Sequence, residues 1–78
     1  MRALPDDDAW LPELYRVVGD RLRAAREQQN LTQDDVWQAA RVDRRTVQHA
    51  EQGRPMTLAT VARIAWVLEV PLADLVRD

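Results

Sequence analysis

Residues 32–53 read TQDDVWQAARVDRRTVQHAEQG, and this stretch decides the fold. Thr32 offers a side-chain oxygen to the orphan amides of a helix start, and Asp34 and Asp35 put negative charge at the positive end of the same helix. The helix so opened runs to about Ala40. Arg41-Val42 turns the chain, and Asp43 repeats the capping chemistry before a second helix, about Arg44 to Gln52. Gly53 stops it, since glycine enters the left-handed region without steric penalty. Val47 and Ala50, three residues apart, give the second helix an inward side and leave Arg44, Arg45, Thr46, Gln48 and His49 outward.

The helical period continues on both flanks. Upstream, Leu14, Val18, Leu22 and Ala25 line one face of a helix from about Glu13 to Gln29; Asn30 suits a left-handed end and Leu31 then enters the core. Downstream, Arg54-Pro55-Met56 is a loop, and Thr57 caps a helix whose Leu58, Val61, Ala65 and Leu68 form a stripe ending near Glu69. Val70-Pro71 breaks that helix, and Leu72 to Val76 make a last short one. Phenylalanine is absent and no stretch sustains the alternation of a strand. The expectation is an all-α domain, a compact five-helix bundle over residues 13–78. Residues 1–12, with Pro5, Asp6, Asp7, Asp8 and Pro12, read as a solvated tail. Trp10 and Leu11 beside Pro12 offer a staple at the first helix start.

Composition narrows the function. With no cysteine and one histidine, His49, the 78 residues hold no disulfide, no thiol chemistry, no multi-His metal site and no Ser/His/acid triad. No glycine-rich phosphate loop or paired-carboxylate site is present, and the Asp6–Asp8 and Asp34–Asp35 runs lack the spacing of a calcium loop. The expectation is a protein that is not an enzyme and needs no cofactor or metal. No apolar run nears the ~20 residues of a membrane span, so a soluble, cytoplasmic protein with no membrane partner is expected. Net charge is −2, which does not advertise nucleic-acid binding. Its distribution does: residues 41–54 carry Arg41, Arg44, Arg45 and Arg54 against Asp43 and Glu51, and are the one net-positive block. All bases are arginine, a bias that suits bidentate contacts and that a GC-rich genome also explains.

Two capped helices of about eight residues joined by a tight turn form a helix-turn-helix, the geometry that lays its second helix in a DNA major groove. Arginine pairs bidentately with guanine O6 and N7, and glutamine suits adenine. The free amides at Thr32 and Gln33 suit a phosphate.

The segments VGDRLRAAREQQNLTQDDV, TVQHAEQG and TLATVARIAWVLEVPLADL resemble the phage repressor/Cro-type helix-turn-helix family, also called XRE-type regulators. The resemblance spans about Val18 to Leu75, and rests on L-T-Q opening the second helix, E-x-G ending the third and I-A-x-x-L-x-V ending the fourth. It implies a lambda-repressor-like bundle and a bacterial, repressor-like transcription regulator bound to double-stranded DNA. By position it assigns base readout to Arg44 and Arg45, with Thr46, Gln48 and His49 on the same side. It assigns backbone contacts and register to Thr32, Gln33, Gln52 and Arg54, and a structural pair to Arg26 and Glu51. One such domain contacts few base pairs, so a homodimer on a palindromic site is expected, with Trp66, Leu72, Leu75 and Val76 as the candidates for its surface.

Two positions depart from the family pattern. Trp37 stands where a small residue is usual, and Ala40 and Ala50 stand where larger aliphatics are common; one tryptophan traded for two branched chains keeps core volume. On that reading Trp37→Ala costs roughly 3–5 kcal/mol. Arg41 replaces the usual turn glycine, which implies either a turn that avoids positive φ or one under strain. Plainer readings stand beside the functional ones. Arg44 and Arg45 also fit a solvated helix face, His49 an uninvolved surface histidine, and Trp66 core packing, a dimer contact or a dock for Trp10. A protein–protein adaptor or antitoxin-like module on the same fold is the alternative, favoured by net acidity and the altered turn.

Overall fold

The computed structural model describes residues 1–78 as five helices with no strand: α1 (Trp10–Gln28), α2 (Gln33–Ala40), α3 (Arg44–Glu51), α4 (Leu58–Leu68) and α5 (Leu72–Val76). Chemistry local to each end explains the boundaries. At α2 the Thr32 hydroxyl accepts from the Asp35 amide at 3.0 Å while the Asp35 carboxylate accepts from the Thr32 amide at 2.8 Å, a reciprocal capping box. Those bonds from Thr32 hold the Asp35 carboxyl below its ordinary pKa. Thr57 likewise accepts from the Thr60 amide at 3.1 Å to open α4. Asn30 and Gly53 take positive φ after α1 and α3.

Two local readings need correction. First, α1 begins at Trp10, three residues before the expected start at Glu13. Pro12 lies inside its first turn, where the missing N–H is no loss because no intrahelical acceptor exists there. Second, Asp43 holds the N-cap backbone geometry of α3 but makes no side-chain capping bond. Of the two readings of the turn between α2 and α3, the strained one holds: Arg41 sits in the left-handed region at φ 58°, ψ 46°. Its own Cβ makes that conformation cost ~1 kcal/mol or more. Arg41→Gly is therefore expected to stabilise the domain by about 0.5–1 kcal/mol, read as a higher denaturant midpoint at unchanged slope. A lower midpoint would mean that the turn carries no strain.

The core comprises Val18, Leu22, Val36, Ala40, Val47, Ala50, Val61, Ile64, Ala65, Leu68 and Leu75, so every helix contributes. Helix α1 packs on α3, α4 and α5, while α2 packs on α3 and α4. The α1–α3 crossing depends on Gly19. A Cβ built there collides with the Ala50 carbonyl oxygen and comes within 3.0 Å of the Gly53 nitrogen. Gly53, at φ 77°, is crowded less severely, its Cβ position lying 2.9 Å from the Arg16 Cα.

Trp37 does not fill the core as a replacement for two branched side chains. It is half-buried at the rim, packed against the core on one side, and its indole N–H donates to the Asp34 carboxylate at 2.9 Å. Ala40 and Ala50 are buried on their own account, at 6% and 1% exposure. Because truncation opens a groove to solvent instead of a sealed void, Trp37→Ala is expected to cost about 2 kcal/mol, below the fully buried range. Urea denaturation measures it, and a loss above about 4 kcal/mol would restore the core role.

Candidate nucleic-acid interface

Helix α3 is held from behind and open in front. Val47 and Ala50, at 0% and 1% exposure, anchor it to the core. Arg44 and Arg45, in its first turn, are exposed, and Thr46, Gln48 and His49 are half-buried. The Arg44 Nε lies 3.7 Å from the Asp34 carboxylate, and both side chains are more than half exposed, so water screens the pair and the arginine is free to swing to another acceptor. His49 has a partner, its Nε2 lying 3.1 Å from the Arg54 Nη1.

The N-terminus of α2 adjoins this surface. Its capping box satisfies the Asp35 amide, and the Gln33 and Asp34 amides point outward without an intrachain acceptor. Asp34 and Asp35 share that turn, so the helix dipole offered to a phosphate is opposed by two carboxylates. Gln33 faces the other way in part: its Nε2 donates to Glu51 at 3.3 Å. Gln52 and Arg54 lie exposed beyond the end of α3.

Behind the surface, Arg26 forks onto Glu51 through Nε–Oε2 at 2.7 Å and Nη2–Oε1 at 2.9 Å, and its Nη1 donates to the Leu31 carbonyl at 2.8 Å. These side chains are 13% and 7% exposed. The hydrogen bonds to Glu51 raise the Arg26 pKa further above its ordinary value. The Arg26 guanidinium thus ties the C-terminal ends of α1 and α3 to the loop that enters α2. It sets the angle at which α3 is presented.

Sequence reasoning missed Gly19. Its only signal was a glycine in the middle of an otherwise strong helix, a costly choice unless another backbone must pass close. Of the candidate dimer residues, Leu75 is instead a core residue at 1% exposure, whereas Trp66 stands outside at 85% and away from Trp10.

A family model described as a helix-turn-helix domain matches residues 17–77, most of the chain, and the protein belongs to that family. The family is typical of XRE/Cro-like DNA-binding domains, so DNA binding is the class of activity this fold carries. Searches of curated proteins and of solved structures returned no match. No helix is long and apolar enough to cross a membrane.

Proposed function

We propose that this protein is a sequence-specific transcription regulator that inserts α3 into the major groove, with two copies on a palindromic site. The observation that carries the reading is the asymmetry of α3: two unconstrained arginines at its exposed first turn, and two buried residues locking its back. Arg44 and Arg45 read base edges, with Thr46 and Gln48 beside them. His49 is steadied by Arg54, so it contributes as part of that pair. Thr32, Gln33, Gln52 and Arg54 take phosphates and set register.

Selection of bound duplexes from a random pool, run beside the Arg44→Ala/Arg45→Ala variant, tests this. Wild type is expected to enrich a guanine-containing palindrome, and each arginine lost from a guanine should cost about 1–3 kcal/mol of discrimination. Affinity should fall with salt by about 0.9 log units per phosphate contacted. Equal, weak, salt-sensitive retention by both proteins would reduce the arginines to bulk charge. No retention at low salt by folded protein would overturn the DNA reading in favour of an adaptor that binds another protein.

A further inference from the structure

We infer that the outer face of α4 is a self-association surface on which two copies of this chain pack antiparallel about Trp66; the inference rests on the two-copy reading above. Trp66 stands 85% exposed near the C-terminal end of α4. Leaving an indole in water forgoes a large part of its apolar burial, and such a residue beside apolar surface marks an interaction site. Shallow grooves flank it on both sides. One, of about 250 Å³, is floored by Ala39, Ala40, Ala62 and Val67; the other, of about 390 Å³, by Ala65, Val70 and Pro71. Knob and hole therefore share one face. That is what a two-fold interface requires, since the same patch must fit itself.

The charges obey the same symmetry. Arg63 and Glu69 stand three residues before and three after Trp66, and both are exposed. Where two α4 helices cross antiparallel at Trp66, the residue three before in one copy faces the residue three after in the other. Arg63 then meets Glu69 twice. Neither forms an ion pair within its own chain; Arg63 makes only a long 3.4 Å contact to the Arg41 carbonyl. The outward residues of α3 are not part of this face and stay uncovered. The patch is one indole and its borders, smaller than the roughly 800 Å² per partner of a standard interface, which sets a weak dimer that two half-sites on one duplex would tighten.

Sedimentation equilibrium of the full chain without DNA, from about 1 µM to about 1 mM, tests the surface. Wild type is expected to dimerise with concentration. Trp66→Ala, which removes an exposed side chain and should stay folded by circular dichroism, is expected to weaken association at least about thirtyfold. Arg63→Glu alone and Glu69→Arg alone should each weaken it, and the two together should restore it. Monomer at every concentration, association unmoved by Trp66→Ala, or a double variant no better than the singles would overturn the inference. So would loss of association from Leu58→Glu with Trp66→Ala neutral, because that would place the contact on the apolar groove between α1, α4 and α5. Binding of each variant to a single half-site, measured in parallel, reads the DNA function separately from self-association.

Discussion

Gly19→Val is expected to leave no cooperative thermal transition. A side chain at position 19 grows directly into backbone, toward the Ala50 carbonyl and the Gly53 nitrogen at 3.0 Å from its first carbon. Neither neighbour can rotate aside as a side-chain tip would. Relief requires α1 to part from α3, and that separation strips contacts from Val18, Leu22, Val47 and Ala50, all core residues. Overpacking alone typically costs about 1–3 kcal/mol, and the lost helix–helix contact adds to it. A 78-residue domain has little to spare, since stability runs at roughly 0.05–0.15 kcal/mol per residue. Gly19→Ala is the graded version. Its better helix propensity returns about 1 kcal/mol, which the clash outweighs, so a net loss of about 2–3 kcal/mol is expected. Calorimetry measures both, and an alanine variant as stable as wild type would show that the two helices separate without cost.

Glu51→Ala is expected to cost about 3–5 kcal/mol, because it leaves a guanidinium largely out of water with only the solvent-screened Glu27 carboxylate, 3.9 Å away, as counter-charge. At 13% and 7% exposure the two side chains are screened far less than the surface pairs of Arg16 with Glu13 and Asp20, which lie more than half exposed. Arg26 would keep one acceptor, the Leu31 carbonyl, and Gln33 would lose its contact to the carboxylate. The comparison that isolates the charge is Arg26→Met/Glu51→Leu, which removes both partners for apolar groups of similar bulk and is expected to recover most of the loss. If Glu51→Ala cost under about 1 kcal/mol in urea titration, the pair would be behaving as a surface contact. Freed from this tie, α3 would also be presented less rigidly, so the single variant should lose more discrimination between DNA sites than the double one.

Most ends of the helices, the start of α1 excepted, were legible because their determinants lie within a few residues of one another. Thr32 and Asp35 close a box at three-residue spacing, Thr57 and Thr60 repeat half of it, and Asn30 and Gly53 are residue types that accept positive φ. The inward pairing of Val47 with Ala50 followed from the helical period for the same reason. Asp43 shows the limit even of local reasoning. Its residue type and backbone fit a cap, yet a cap also needs the side chain to turn toward the amides.

What spacing could not supply is how closely two distant segments approach. That Gly19 is a crossing point, that Trp37 stays at the rim with its N–H on Asp34, and that Trp66 points to water depend on the angles between helices far apart in the chain. Local pattern specified five helices, most of their ends and the outward arginines of α3. Which small residues are small because backbone passes them, and which large ones are left uncovered, emerged from the packed fold. The physical reason is range: capping and periodicity act over three or four residues, whereas close packing is settled by every neighbour at once.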